Sequence, residues 1–143
     1  MVDERDIKII DILEENARTP HTKIAARLGV AESTIRKRIK ALEKAGVIER
    51  YTIVVNPAKL GYNSISIVGL DVESTHFLDV AIRMTEFPEV KFVATSTGDH
   101  TIMTEIWLKD GRALGEFITE KIGKLEGVHR VCPAVIMEKL KVR

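Results

Sequence analysis

The chain has 143 residues, of which 45% are apolar and 30% charged, a composition that predicts a packed core and argues against a disordered or collagen-like chain. The length is enough for one ordinary domain or two small ones, and no apolar run approaches the ~20 residues that a membrane-spanning helix needs. The net charge of +1 is divided unevenly: residues 1–60 carry a balance of +3 and residues 61–143 a balance of −2, which favours a nucleic-acid module joined to a different module.

The start of the chain and its single cysteine indicate a cytoplasmic protein. The first ten residues begin with acids rather than with a basic stretch before an apolar core, so we expect no signal peptide. Cys132 cannot form an intramolecular disulfide, and its apolar neighbours favour a buried small side chain over a reactive thiol.

Residues 1–46 show the pattern of three helices. Apolar residues at helical spacing predict a helix over 3–16, with an aspartate as its N-cap. Thr19 can cap a short second helix over 20–28, and Gly29 follows it where a positive φ angle is expected. The third helix is predicted over 31–45.

The residue pattern changes from helical to β-branched after the third helix. Residues 48–55 are rich in β-branched side chains and predict a strand, and the turn-forming segment 56–61 marks a domain boundary. We therefore assign residues 1–50 to a helix-turn-helix domain, 51–61 to a strand and linker, and 62–143 to an αβ domain.

The second half alternates strand and helix patterns, which predict strands over 62–72, 90–97, 101–108 and 128–140 and helices over 76–87 and from Asp110 onward. The order is βαββαβ. The predicted fold class is therefore α+β, a three-helix winged helix-turn-helix followed by a ferredoxin-like domain with two helices on a four-stranded antiparallel sheet. In this topology the last strand lies at an edge of the sheet, where Pro133 is tolerated.

The strongest functional motif lies within residues 20–45. A helix-turn-helix needs a small residue where its helices cross, a glycine in the turn, and apolar residues that set the crossing angle. Ala25, Gly29 and Ile35 have the mutual spacing of these three positions. The spacing predicts a DNA-binding helix-turn-helix; the alternative is three helices that pack together without contacting nucleic acid.

The outward face of the third helix carries hydroxyl and cationic side chains. Hydroxyls near a helix N-terminus reach base edges or phosphates, and Arg and Lys read guanine or hold the backbone. Residues 36–40 contain four cations, whereas a merely solvated helix usually mixes signs at a spacing of three or four. Arg38 lies nearer the buried face and can pair with an acid such as Glu14 or Glu15. We predict DNA contacts from Thr22, Ser33, Thr34, Arg36, Lys37, Arg38 and Lys40.

One such motif covers only a few base pairs, so recognition needs a dimer that presents two recognition helices. The second domain is the expected dimerisation module. Its strands carry apolar residues on both faces, with Met103 and Trp107 opposite Ile102 and Ile106, and a partner sheet would cover the surplus.

The whole chain resembles the Lrp/AsnC (feast/famine) family of bacterial and archaeal regulators, and an archaeal member is expected. The matching residues are Asp3-Glu4-x-Asp6 before Ile9-Ile10, Ile24-Ala25 to Gly29, the run from Ser33-Thr34 to Gly46-Val47-Ile48, Asn56-Pro57, Leu60-Gly61, Thr97-Gly98-Asp99 and Gly127-Val128. The resemblance implies DNA-binding dimers that assemble into tetramers, octamers or larger rings and control genes of amino-acid metabolism. It also implies that an amino acid binds around the Gly-Asp turn.

Carried over to this chain, the ligand-binding residues are Thr97, Gly98, Asp99 and His100. Asp99 can take an α-amino group, and backbone N–H groups of the turn can take a carboxylate. The chain departs from the family here, since His100 and Thr101 stand where many relatives have an aromatic residue and a second acid. A plain β-hairpin turn is the alternative interpretation of Gly98-Asp99.

The sequence predicts no enzyme, no cofactor other than an amino-acid effector, and no metal site. None of the four histidines forms a metal pair at i, i+4, and there is no CxxC or HExxH motif and no phosphate loop. Two alternatives remain: an architectural protein that wraps DNA without an effector, and an enzyme resembling the sirohaem decarboxylases, which share this two-domain architecture. An enzyme would not need the outward basic face of the third helix.

Overall fold

The computed structural model describes residues 1–142 and divides them into two compact units, Met1–Val54 and Val55–Val142. The first unit consists of α1 (Glu4–Glu15), α2 (His21–Leu28) and α3 (Glu32–Lys44). All three helices lie within the predicted ranges.

The core of the first unit lies where the three helices meet. Its buried members are Ile9, Ile24, Ala25, Ile35 and Ile39. Ala25 supplies the small side chain against α3 that the motif predicts. Gly29 ends α2 in the left-handed conformation with φ +68°, so the predicted turn glycine is confirmed.

The first two helices begin differently. Asp3 caps α1 through a reciprocal capping box: its Oδ1 accepts from the Asp6 N–H at 2.9 Å, and Asp6 Oδ2 accepts from the Asp3 N–H at 3.1 Å. The prediction that Thr19 caps α2 is wrong. Pro20 is the N-cap residue, and the Thr19 hydroxyl instead donates to the Asn16 carbonyl at 2.7 Å, in the turn before it.

The strand predicted over residues 48–55 is absent from the described structure. Its β-branched residues favour extended backbone, but a strand also needs a neighbour to pair with its N–H and C=O groups, and this segment has none among residues 1–142. Ile53 and Val54 are 81% and 72% exposed. A 3₁₀ turn follows at Pro57–Leu60, opened by Asn56 Oδ1, which accepts from the Ala58 N–H at 3.1 Å.

The second unit is an antiparallel sheet under two helices. Its elements are β1 (Ser64–Val72), α4 (Phe77–Glu86), β2 (Val90–Thr95), β3 (Ile102–Leu108), α5 (Gly111–Phe117), which continues as a π-helical turn (Ile118–Ile122), and β4 (Val128–Val135). The strand order is β2-β3-β1-β4, with β1 paired to both β3 and β4. This is the predicted βαββαβ arrangement with β4 at an edge, and Pro133 lies there opposite Val68.

The two faces of the sheet differ because successive side chains of a strand point to opposite sides. The covered face contributes Val68, Leu70, Ile102 and Ile106 to a core with the helix residues Val80, Met84 and Ile122. The opposite face, here called the open face, is half-exposed; its central residues are Ile65, Ile67, Gly69 and Asp71 of β1, flanked in register by Met103, Glu105 and Trp107 of β3 and by Cys132 and Ala134 of β4.

The last strand is shorter than predicted. It ends at Val135, which pairs with Ser66 close to the start of β1, so that little of β1 remains to pair with later residues. One more bond, from the Ile136 N–H to the Ile65 carbonyl at 2.7 Å, closes the ladder. Among the described residues, no helix has the length and apolar character needed to cross a membrane.

Candidate DNA-binding helix and ligand site

One face of α3 presents a row of polar side chains with no intramolecular ion pair. Ser33, Lys37, Lys40 and Lys44 follow one another at helical spacing, and all four are exposed. In the part of the chain that the structure describes, none of the three lysines lies within salt-bridge distance of an acid. We call these four residues the lysine stripe. Its cations remain available to an external anion.

Two other predicted DNA-contacting residues of α3 are already engaged or partly covered. The Arg36 guanidinium meets Glu32 one turn earlier at 2.5 Å, with both side chains about half exposed. Thr34 is half-buried. Arg36 therefore has a local acidic partner that an approaching phosphate would have to replace.

Arg38 contacts two acids at the start of α1. Its Nη1 lies 2.8 Å from Asp3 Oδ2 and 2.9 Å from Asp6 Oδ1. Its side chain is 26% exposed and that of Asp6 only 11%. The hydrogen bond from Arg38, helped by the Asp6 backbone N–H, lowers the pKa of Asp3 from 3.8 to about 2. The hydrogen bonds to the Asp3 and Asp6 carboxylates raise the pKa of Arg38. Arg38 thus joins α3 to α1, as its place near the buried face predicted, but the predicted partners are wrong: it pairs with Asp3 and Asp6 at the start of α1, not with Glu14 or Glu15 at its end.

Backbone N–H groups at the starts of α2 and α3 lack side-chain caps. The N-cap residues are Pro20 and Ala31, neither of which has a side-chain acceptor. Thr22 is exposed in the first turn of α2, with Lys23 beside it. Both helix starts thus present free donors next to hydroxyl or cationic side chains, an arrangement suited to phosphate.

The predicted ligand residues occupy the hairpin between β2 and β3. Thr97, Gly98 and Asp99 are exposed, and the Gly98 N–H donates to Ser96 Oγ at 3.1 Å. The Ser96 N–H donates to the Thr101 carbonyl at 2.9 Å, which closes the turn. Asp99 lies at the tip, where its carboxylate makes no hydrogen bond or ion pair with the other described residues.

His100 differs from the other three because its ring lies on the open face. Its Nδ1 is 2.9 Å from Asp71 Oδ1. The ring lies against Gly69, where an added Cβ would come within 2.4 Å of His100 Cδ2. His100 is therefore seated on β1, away from the exposed tip of the turn.

Cys132 of β4 is opposite Gly69 and completes a cluster with Asp71 and His100. One donor atom from each of the three residues lies within 4.8 Å of the other two, and all three side chains are half-buried. Sequence reasoning missed this cluster because its members come from three parts of the chain. Only the register of β4 on β1 brings the cysteine to this place.

Comparisons with known proteins agree for both units. A family model described as winged helix-turn-helix DNA-binding matches residues 2–49, and the Lrp/AsnC ligand binding domain matches residues 65–143. The HTH-type transcriptional regulator LrpA of Pyrococcus abyssi is 52% identical over 141 residues, covering 99% of this chain and 100% of that protein.

Solved structures share the fold over nearly the whole chain. E. coli AsnC has a TM-score of 0.89 at 24% identity, covering 100% of this chain and 97% of the other. The regulator NMB0573 of Neisseria meningitidis, solved as an L-Met complex, has a TM-score of 0.91 at 22% identity, covering 99% and 94%.

Proposed function

Because the chain belongs to the Lrp/AsnC family of helix-turn-helix transcription regulators and not to a family of enzymes, we propose that it recognises a specific operator through α3, as a homodimer or larger assembly whose DNA binding an amino acid modulates. The observation that carries the proposal is the lysine stripe, a row of exposed cations without intramolecular acidic partners.

In the proposed complex α3 lies in the major groove. A major groove admits one helix, and the N-terminal residues of a recognition helix contact base edges. Ser33 and Thr34 occupy the first turn of α3, and Lys37 and Lys40 follow on the next two turns. Arg36 contacts DNA after exchanging Glu32 for a phosphate or a guanine, and Arg38 acts by holding α3 against α1.

The uncapped helix starts supply the phosphate contacts. Backbone N–H groups at the start of α2, together with the Thr22 hydroxyl, bind a phosphate of the DNA backbone. Such contacts fix the register of the protein on the duplex, whereas the base contacts supply specificity.

A second copy of the chain covers the open face. Ile65, Ile67, Met103 and Trp107 lie there half-exposed, and Phe92 of β2 is 53% exposed. A monomer rarely leaves a large group of apolar side chains in water. The dimer presents two recognition helices to two half-sites, and further association gives tetramers or octamers.

The amino acid binds at the hairpin of Thr97, Gly98 and Asp99. Asp99 is exposed with its carboxylate available for an α-amino group, and the bond from the Ser96 N–H to the Thr101 carbonyl closes the turn. The match to a ligand-binding domain and the fold shared with an L-Met complex support an amino-acid effector. His100 holds the end of the hairpin against β1 through its contact with Asp71.

The test of the DNA proposal is selection of bound sequences from random duplex DNA, carried out with the full chain at two salt concentrations. We expect enrichment of a short palindrome and an affinity that falls as salt rises. The double variant K37A/K40A should lose at least about tenfold in operator affinity, since one good base contact contributes about 1–3 kcal/mol.

The matched control is K121A/K124A, which removes the same charge from exposed lysines of the second unit. Its operator affinity should stay close to that of the wild type. Equal losses in the two double variants would contradict recognition by α3. Binding without any enriched sequence would favour the architectural alternative.

A further inference from the structure

The open face carries a group of side chains that DNA binding does not use. Asp71, His100 and Cys132 converge there with donor atoms within 4.8 Å of one another. The carboxylate comes from β1, the imidazole from the hairpin before β3, and the thiol from β4.

The fold builds this cluster from the register of the sheet. Asp71 lies two residues after Gly69 on the same face of β1, and Cys132 of β4 lies directly opposite Gly69. The missing side chain at Gly69 leaves the space for the His100 ring. His100 Nδ1 then meets Asp71 Oδ1 at 2.9 Å.

These donors match the preferences of one class of metal ion. Thiolate and imidazole ligands select Zn²⁺ and related transition metals rather than Mg²⁺ or Ca²⁺, which favour oxygen alone. Tetrahedral zinc with bonds of about 2.0–2.3 Å holds its donors roughly 3.5 Å apart. The three donor atoms lie within 4.8 Å of one another, close to that spacing.

We propose that Asp71, His100 and Cys132 form a binding site for Zn²⁺ or a similar divalent transition metal. The three side chains supply three of the four ligands of a tetrahedral site. The ion links β1, β4 and the residue that leads into β3. Metal binding is measured without DNA and without an amino acid, so its failure and that of the proposed function are distinguishable.

The test is a titration of the full chain with Co²⁺, which reports its ligands by visible absorption. Because Cys132 is the only cysteine, a thiolate-to-cobalt charge-transfer band can arise from that residue alone. We expect this band to saturate at one equivalent per chain and to disappear when Zn²⁺ is added. Absence of the band in the wild-type protein overturns the proposal without any variant.

Variants then assign the other ligands. C132S should abolish the charge-transfer band, and H100Q should weaken Co²⁺ binding by more than the roughly 10–100-fold that loss of an outer partner of a metal ligand causes. The matched control is H129Q, which replaces an exposed histidine of β4 outside the cluster. If H129Q weakens binding as much as H100Q, the metal binds elsewhere and the assignment of the site is wrong.

Discussion

At the scale of single residues, the two neighbouring cations Lys37 and Arg38 have opposite roles. Lys37 belongs to the lysine stripe, whereas Arg38 is held by Asp3 and Asp6. Sequence reasoning placed Arg38 nearer the buried face but could not identify its partners, Asp3 and Asp6, which lie 35 and 32 residues away along the chain. Adjacent positions on a helix point about 100° apart, and this difference decides whether a cation faces solvent or the protein.

The variant R38M should lower the urea midpoint of unfolding, since it leaves the mostly buried Asp6 carboxylate without its cation. K37M should leave the midpoint unchanged and weaken DNA binding. Denaturation followed by circular dichroism and a DNA titration of each variant separate the two effects. Unchanged stability of R38M would remove the structural role given to Arg38.

The Asp3–Arg38 pair also makes stability depend on pH. Because the pKa of Asp3 falls from 3.8 to about 2 on folding, the folded state binds this proton less readily than the unfolded state. The stabilisation is complete above pH 3.8 and is lost as the pH falls toward 2. The free energy of unfolding of the wild type, measured with urea, should therefore fall more steeply over this pH range than that of D3N. The control is D11N, which neutralises an exposed aspartate of the same helix.

Asp99 offers a test of the effector site. D99N removes the charge proposed to bind an α-amino group. A panel of amino acids is first titrated into the wild type by calorimetry. The heat of binding of the amino acid that binds should then be absent with D99N. D79N neutralises an exposed aspartate of α4 and should leave that heat unchanged. Full binding by D99N would place the ligand elsewhere.

At the scale of secondary-structure elements, the sequence predicted each helix and each strand of the sheet, because their apolar residues repeat at the period of the element. The prediction of a strand over 48–55 is wrong for a different reason. Val54 and its neighbours favour extended backbone, but pairing depends on a partner that local sequence does not specify. The same limit hid the cluster of Asp71, His100 and Cys132, which exists only through strand register.

Two glycines of the second unit should respond in opposite directions to alanine. Gly127 has φ +91°, and an added Cβ would come within 2.4 Å of His76 Cβ, so G127A should destabilise the protein by about 1–3 kcal/mol. Gly115 lies in α5 with open space around it, so G115A should stabilise it by about 0.5–1 kcal/mol. Chemical denaturation measures both, and destabilisation by G115A would contradict the exposed helical setting.

At the scale of the whole molecule, the apolar open face predicts self-association. W107E places a charge among the half-exposed apolar residues of that face and should shift the protein toward monomers in analytical ultracentrifugation. Operator affinity should fall with it, because two half-sites then bind separately. L78E introduces the same charge at a 66% exposed leucine of α4 and serves as the control. A W107E dimer as stable as the wild type would exclude this face as the interface.

The segment of residues 49–56, which lacks regular secondary structure, should exchange its amide protons fast. Residues 49–56 belong to no helix or strand, and within the described structure their backbone N–H groups donate no hydrogen bond to another backbone group. Their deuterium uptake should approach that of an unfolded peptide, while α3 and β1 on either side exchange slowly. A protease should cut there first, releasing two fragments that each retain a core. If assembly or DNA binding orders this segment, slower uptake at these few amides would report it before any change in the rest of the chain.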